Sequence, residues 1–117
     1  YQVAGGTGQG IIAAAKETGH YAIGVDADQD YLAPGHVLTS MLKRVDIAVY
    51  DLIDRLCKGT LKGGTTVFYG LKEGGVGLSE MKFTRHLIPR DYLDRIEELR
   101  KKIISGEIKV TDVTATP

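Results

Sequence analysis

The sequence predicts an α/β protein with a mostly parallel sheet flanked by helices. A glycine-rich turn over residues 5–10 follows a strand-like start and precedes a helical pattern. An uninterrupted apolar run over 21–25 is typical of a strand buried on both faces of a parallel sheet. Apolar side chains over 44–58 recur at i, i+3 and i+4, which indicates an amphipathic helix. Strands and helices that alternate in this way favour the α/β class.

The first half of the chain contains four predicted elements joined by short loops. A strand ends at Ala4, and a helix follows over 9–18, where Gly19 is placed to stop it. Strands are predicted over 21–25, which is short and apolar, and over 37–41, which is also short. The polar segment between these two strands is predicted to be a loop.

The second half continues the alternation with these predicted elements: a helix over 44–58, strands over 65–69 and 76–81, a helix that Pro89 opens and Gly106 ends, a final strand over 107–113, and a loose tail. Cys57 continues the apolar stripe of the first of these helices, so we expect a buried structural thiol. The predicted buried face of the last helix consists of Tyr92, Ile96, Leu99 and Ile103.

Composition excludes several classes of protein. The chain has 117 residues, enough for one domain at most, and 15 basic residues balance 15 acidic ones. A formal net charge of zero argues against a nucleic-acid partner, since such partners are held by excess positive charge. A single cysteine rules out an internal disulfide framework. The 15 glycines suit a ligand-binding α/β protein, in which the backbone turns tightly and approaches a ligand.

Asp26 is the strongest candidate for a binding residue. A carboxylate that directly follows a buried strand lies where open α/β sheets bind ligands. It can accept two hydrogen bonds, which suits the vicinal hydroxyls of a sugar. Asp28 and Asp30 are expected to cap or tie the loop, although all three carboxylates could belong to one polar site.

Lys43 is a second candidate because it directly follows the strand over 37–41. Its ammonium could donate to sugar oxygens or balance the charge of Asp26. The alternative is an exposed start of the next helix together with Arg44. Cations are mildly unfavourable at that end of a helix, which favours the binding role.

The sequence Gly8-x-Gly10-x-x-Ala13 matches the glycine fingerprint of dinucleotide-binding proteins, and Asp26 follows Gly10 by 16 residues. A tight strand-to-helix turn or close packing of the helix explains the same glycines. No nucleophile, acid and base assemble into a catalytic set, and the three histidines lack metal-ligand spacing. We therefore predict no catalytic residues, no metal and no cofactor.

Four segments in order give a more specific signal: V-A-G-G-T-G at 3–8, A-I-G-V-D-A-D-Q at 22–29, L-T-S at 38–40 with K-R-V-D at 43–46, and Y-G-L-K-E-G-G-V-G-L at 69–78. Together they resemble the C-terminal part of the basic membrane protein family, the bacterial substrate-binding lipoproteins that serve as purine-nucleoside receptors of ABC transporters. The resemblance implies part of a type I periplasmic-binding-protein fold, with nucleoside held between two lobes. It also implies that Gly5 or Gly6, Asp26 and Lys43 contact the ligand, mainly its ribose.

The resemblance further implies a division of the chain between the lobes. Residues 1–36 would belong to the second lobe, 37–43 to a hinge-crossing strand, 44–70 to the first lobe, and 71–117 to a return segment and the C-terminal helix. Neither lobe would then be complete. We expect the missing N-terminal half of the same protein, or self-association, to cover the apolar faces, and we expect no stable monomer without it.

The function implied by the resemblance is that of a non-enzymatic receptor that delivers a purine nucleoside to an ABC permease. The full-length parent would be extracytoplasmic and lipid-anchored to the cell membrane, with its signal and anchor upstream of these residues. Two alternatives remain open: a dinucleotide-binding oxidoreductase fragment, and the effector-binding core of a transcription regulator, which shares this fold.

Overall fold

The computed structural model describes residues 1–111, which divide into two compact units. Unit 1 comprises Tyr1–Leu87 and contains the sheet and two helices. Unit 2 begins at Ile88 and contains one helix. The candidate binding residues all lie in unit 1.

The sheet of unit 1 has three strands in the order β1-β2-β3, with bounds Ala22–Asp26, Val37–Lys43 and Val76–Leu78. β1 and β2 are parallel, and their register places Asp26 opposite Leu42. β3 is antiparallel to β2, with Val76 opposite Lys43. The α/β class is confirmed, and the sheet is mixed. The parallel pairing brings the carboxyl ends of β1 and β2 to the same edge.

The first helix, α1, spans Gly8–Glu17 and packs on one side of the sheet. Its buried Ile12 meets Ala22, Ala33 and Val37 in a small apolar core. A short 3-10 turn over Gly5–Thr7 leads into the helix. The predicted helix is confirmed to within one residue, and Gly19, with φ +70°, stops it as predicted.

The second helix, α2, spans Val45–Cys57, again within one residue of the prediction. Four of its apolar side chains, at i, i+4, i+8 and i+11, form one stripe, the α2 apolar face, whose members are Val45, Val49, Ile53 and Leu56. None of the four is buried. The expected burial of Cys57 is wrong, because its thiol lies in the last turn of a helix whose apolar face nothing covers within the described residues.

Two of the strands predicted within unit 1 do not form among the described residues. Residues 65–69 carry β-branched and aromatic side chains but have no strand partner, and this propensity is weak without one. Residues 1–4 also lie outside the sheet, and there the Gln2 side chain accepts the Ala4 N–H at 2.9 Å. The strand predicted over 76–81 stops at Leu78, and Met81 then turns the chain with φ +58°.

Unit 2 consists of α3, which spans Arg90–Ser105 between Pro89 and Gly106. The predicted buried face is wrong for this chain: Tyr92 and Ile96 are exposed, and no side chain of the helix is buried. Within unit 2 by itself, the described residues contain no second helix or strand that could cover the apolar stripe of this helix. Residues 107–111 form no strand, and the rest of the predicted final strand and the loose tail lie outside the described residues. Within residues 1–111, no helix is long and apolar enough to cross a membrane.

Candidate functional site

The structure brings Asp26 and Lys43 together at the carboxyl edge of the sheet. Lys43 Nζ lies 2.9 Å from Asp26 Oδ1, and both side chains are 58% exposed. The contact follows from the strand register, because Asp26 is opposite Leu42 and Lys43 is the next residue of β2. Two residues that are 17 positions apart in the sequence thus form one exposed ion pair.

Asp26 has a backbone conformation that non-glycine residues rarely adopt. Its φ is +69°, and Ala27 N–H donates to Val25 O at 2.9 Å across it. A hydrogen bond from residue i+2 to residue i around a positive φ is the pattern of the rarer, strained γ-turn. Such backbone strain costs on the order of 1–3 kcal/mol and concentrates at ligand-binding sites. The carboxylate is therefore presented by a turn that the surrounding structure has to hold in place.

The predicted glycine turn lies at the N-terminus of α1 and reaches the Asp26 loop through side chains. Gly5 has φ +53°, and a Cβ there would meet nothing, so its backbone conformation rather than crowding calls for glycine. Gln2 Oε1 accepts the Ala4 N–H at 2.9 Å, and Gln2 Nε2 approaches Gln29 Oε1 at 3.4 Å. Gly5 and Gly6 are thus linked to the loop after β1 by the Gln2–Gln29 bridge.

Beside the ion pair lies a cluster of polar side chains that we call the Asp30 network. Its members are Gln2, Gln29, Asp30, Thr39, Ser40 and Ser79, all of them buried except Gln29, which is half-buried. Asp30 Oδ1 accepts the Ser40 hydroxyl at 2.8 Å, and Oδ2 accepts the Ser79 hydroxyl at 2.8 Å. The network connects the loop after β1 to β2 and to the residue that follows β3.

The sequence predicts that Asp28 and Asp30 tie the loop, but it does not predict the other members of this network. Asp28 Oδ1 accepts the Asp30 N–H at 2.9 Å, so its predicted role is confirmed. A signal was present: Thr39 and Ser40 interrupt an otherwise apolar strand, and buried hydroxyls need hydrogen-bond partners. Nothing in the sequence indicated that the partners would be Asp30 and Ser79.

The charged residues around α2 form pairs of their own. Arg44, the N-cap of α2, holds Asp46 through Nε at 2.9 Å and Nη2 at 2.7 Å, and this hydrogen bonding lowers the pKa of Asp46. Tyr69 Oη donates to Asp51 Oδ2 at 2.7 Å, which lowers the pKa of Asp51 and raises that of Tyr69. Of the two neighbouring cations, Arg44 is thus bonded to Asp46, and Lys43 is the one that contacts Asp26.

An open groove of about 450 Å³ lies elsewhere on unit 1, lined by Gln9, Ile12, Ala13, Lys16, Glu17 and Leu32. None of the predicted binding residues lines it. A Cβ at Gly8 would collide with the Gln2 side chain, so close packing explains the first glycine of the dinucleotide fingerprint. Within residues 1–111, no three metal-ligating side chains are grouped.

The chemistry of the Asp26–Lys43 pair matches a ligand with adjacent hydroxyls. A carboxylate accepts hydrogen bonds only, and an ammonium donates them only. A hydroxyl does both, so two neighbouring hydroxyls can donate to Asp26 and accept from Lys43 at the same time. A pair of this kind can hold and orient two neighbouring hydroxyls.

Relatives of known sequence resemble this chain closely. It is 52% identical over 113 residues to Basic membrane protein D of Borreliella burgdorferi, a match that covers 94% of this chain and 33% of that protein. It is 40% identical over 131 aligned residues to the CD4+ T-cell-stimulating antigen of Listeria monocytogenes, which covers 96% and 35%. The chain therefore spans about a third of the length of the curated relatives it matches.

Solved structures confirm the fold. A solute-binding protein of an ABC transporter system from Aeropyrum pernix superposes with a TM-score of 0.74 at 35% identity, over 95% of this chain and 40% of that one. A transcriptional activator of the comK gene from Bacillus halodurans superposes with a TM-score of 0.79 at 26% identity, over 91% and 36%. The family model described as ABC transporter substrate-binding protein, PnrA-like, matches residues 1–114. The chain belongs to this family, known as Bmp, whose curated members include the basic membrane proteins.

Proposed function

We propose that this chain supplies one rim of the ligand cleft in an ABC transporter substrate-binding protein that binds a purine nucleoside. The observation that carries the proposal is the exposed Asp26–Lys43 pair at the carboxyl edge of β1 and β2. Open α/β sheets bind their ligands at this edge. Family membership supports the transport role, and the paired carboxylate and ammonium support a ligand that carries a cis-diol, such as ribose.

In this proposal Asp26 accepts hydrogen bonds from the ribose hydroxyls, and Lys43 donates one to a ribose oxygen. Backbone groups of Gly5 or Gly6 approach the ligand from the start of α1, where the exposed turn leaves room for it. Ligand hydroxyls replace the contact that Asp26 and Lys43 make with each other. An exposed ion pair is weak, so this exchange costs little.

The rest of the cleft belongs to a longer protein, which we call the parent protein. The share of the relatives that this chain spans supports such a parent, and so does the exposed α2 apolar face. The N-terminal part of the parent protein would cover this face and stack on the purine base. The parent would be an extracytoplasmic lipoprotein anchored to the cell membrane that passes its ligand to an ABC permease without chemical change.

Calorimetry of the parent protein with guanosine, inosine and adenosine tests the proposed ligand class. We expect at least one of them to bind, and 2′,3′-dideoxyinosine to bind more weakly than inosine because it lacks the hydroxyls that Asp26 would hold. Absence of binding by all three ribonucleosides would refute the proposed ligand class. Equal affinity for inosine and its dideoxy form would remove Asp26 and Lys43 from the sugar site.

The Asp26→Ala variant tests the assignment of the carboxylate. We expect inosine affinity to fall by about 1–3 kcal/mol, roughly 5- to 150-fold, since bound hydroxyls lose their acceptor. Asp28→Asn is the matched control, because it removes a neighbouring exposed charge and keeps the oxygen that accepts the Asp30 N–H. Its affinity should stay within twofold of the unsubstituted protein.

A second candidate function is the effector-binding core of a transcription regulator, which the likeness to the comK activator favours. Fractionation of cells that make the parent protein separates the two. A transporter receptor should be recovered with the membrane and released by a lipid-cleaving treatment. A regulator should be recovered with DNA.

A further inference from the structure

Asp30 is a buried carboxylate that has hydroxyl partners but no cation partner among residues 1–111. It is 2% exposed, and its two oxygens each accept one hydroxyl at 2.8 Å, from Ser40 and Ser79. Its own N–H donates to Asp28 Oδ1. A carboxylate is expensive to bury unless hydrogen bonds compensate it. The arrangement therefore suggests a role in holding geometry rather than in neutralising charge.

Counting protons gives each hydrogen bond around Asp30 its direction. The single hydroxyl proton of Ser79 goes to Asp30, so Ser79 Oγ accepts from the Ser40 N–H at 2.9 Å and from the Thr39 hydroxyl at 3.1 Å. The Ser40 hydroxyl also donates to Asp30, and its oxygen accepts the Gln29 N–H at 3.0 Å. An amide at position 30 would replace one acceptor by a donor and leave one hydroxyl proton without a partner.

Gln29 links the Asp30 network to the strained turn at Asp26. Its N–H is held by Ser40, and its side-chain Oε1 accepts the N–H of Val25 at 3.0 Å. Val25 O in turn accepts the Ala27 N–H across Asp26. The turn that gives Asp26 its positive φ is thus fastened at Val25 by Gln29, while Gln29 is fastened to β2.

The same network ties the loop that directly follows Asp26 to the strand that carries Lys43. Ser40 lies three residues before Lys43 in β2, and Ser79 directly follows β3, which pairs with the end of β2 at Lys43. Ser79 N–H also donates to Ser40 O at 2.9 Å. Asp30 therefore fixes the loop against both strands that position Lys43.

We propose that Gln29 and Asp30 are positioning residues, which hold Asp26 in its left-handed conformation against Lys43 and thereby set the affinity for a ligand with vicinal hydroxyls. The ligand half of this inference rests on the proposed function. The geometric half concerns the protein without ligand, and it can be tested separately.

Hydrogen exchange of the ligand-free parent protein tests the geometric half. Asp30→Asn keeps nearly the same shape but replaces one hydrogen-bond acceptor by a donor. Gln29→Met removes the acceptor for the Val25 N–H. We expect the amides of Val25 and Ala27 to exchange at least tenfold faster in each variant, and that of Thr18, at the end of α1, to stay unchanged. Asp28→Asn removes the same charge as Asp30→Asn but keeps its acceptor, so it should alter neither amide by more than twofold.

Unchanged exchange at Val25 and Ala27 in a folded variant would overturn the inference, whether or not any nucleoside binds. Should Asp30→Asn fail to fold, Gln29→Met decides, because it leaves the Asp30 carboxylate and both serines in place.

A mutant cycle with inosine tests the ligand half. We expect Asp30→Asn and Gln29→Met each to weaken binding about tenfold when Asp26 is present and by less than twofold in the Asp26→Ala background, because they act through Asp26. An equal loss in both backgrounds would show a general structural role and contradict the proposal. A parent protein that binds no nucleoside would defeat the proposed function, and the exchange experiment would still decide this inference.

Discussion

The sheet edge around Asp26 and the helix α2 lie in the same unit but differ in how complete they are. Around Asp30, every buried polar side-chain atom has a hydrogen-bond partner, as holds throughout the described residues. On α2, the four side chains of the apolar face are between 49% and 65% exposed. Residues of this chain satisfy the hydrogen bonds of the Asp30 network, whereas the described residues leave the α2 apolar face exposed.

A partial chain can complete its directional hydrogen bonds by itself, but it cannot bury an apolar face by itself. Hydrogen bonds are short and directional, so a few residues from four segments of the chain complete the Asp30 network. Burial of apolar area needs a second surface of similar size, and the described residues offer none to α2. The sheet edge around Asp26 can therefore form from the hydrogen bonds of this chain, even though the stability of the chain depends on a second surface that covers α2.

The largest expected effect concerns the unfinished face. Covering four half-exposed aliphatic side chains would contribute about 3–6 kcal/mol, comparable with the roughly 5–15 kcal/mol that stabilises a typical domain. We expect the isolated chain of 117 residues to self-associate or to unfold without cooperativity. Sedimentation and thermal denaturation would show it, and a compact monomer with a cooperative transition would contradict it.

A matched pair of variants attributes that behaviour to α2. Val49→Lys combined with Ile53→Lys should abolish self-association of the isolated chain. The same two lysines placed at the exposed Thr60 and Thr65 should leave it unchanged. If both pairs act equally, added charge rather than the α2 apolar face is responsible.

The Asp30 network should lose stability when a single hydroxyl is removed. Ser40→Ala in the parent protein removes a donor to Asp30 and an acceptor for the Gln29 N–H, so we expect the free energy of unfolding to fall by about 1–3 kcal/mol. Ser105→Ala removes one exposed bond to Lys102 O and should change it by less than about 0.5 kcal/mol. Denaturant titration measures both free energies of unfolding. Equal losses in the two variants would show that the buried network contributes no more than an exposed hydrogen bond.

Gly24 and Gly10 differ in how much space the fold leaves for a Cβ. A Cβ at Gly24 would lie 2.5 Å from Ser40 Oγ and 3.0 Å from Gln29 Cβ, so Gly24→Ala should destabilise the parent protein by about 1–3 kcal/mol. Gly10 lies in α1 with nothing near its missing Cβ, and Gly10→Ala should stabilise by about 0.5–1 kcal/mol. Thermal unfolding should shift in opposite directions for the two variants, and a shift in the same direction would contradict the crowding at Gly24.

The smallest expected effect lies beside α2, where Tyr69 is the main cause of the lowered pKa of Asp51. A carboxyl group whose pKa is lowered by folding stabilises the protein above its unfolded pKa, and this contribution is lost as pH falls through the folded value. Tyr69→Phe should raise the pKa of Asp51 toward its ordinary value and move that loss to higher pH. Carboxyl titration by NMR measures it, with Tyr50→Phe, an exposed tyrosine, as the control. An unchanged titration of Asp51 would refute the assignment.

Local signals predicted the helices well and the strands unevenly. α1 and α2 were predicted to within one residue because their apolar spacing and the glycines that end them, Gly19 and Gly59, lie in one short stretch of sequence. The strand predicted over 65–69 was wrong, although its composition is strand-like, because a strand exists only when a neighbour pairs with it. Cys57 was assigned to a core for the same local reason, and no core covers that turn in the part of the chain that the structure describes.

The candidate site divides in the same way. The choice of Asp26, Lys43 and the glycine turn followed from residue type and position at element ends, and their role in binding stays a prediction. The role of Asp30 was only half predicted: it does tie its loop, but its partner Ser79 lies 49 residues away. No periodicity or motif connects two polar residues at such a distance.

By itself, the sequence determined the class of the fold, the two helices of unit 1 with their glycine stops, and the family to which the chain belongs. Only the tertiary structure decided that Asp26 meets Lys43, that its turn is left-handed, and that Asp30 is a buried hub rather than a surface carboxylate. The reason is physical: helices and turns are specified by neighbours along the chain, whereas strand register and buried hydrogen bonds depend on which distant residues the fold places side by side.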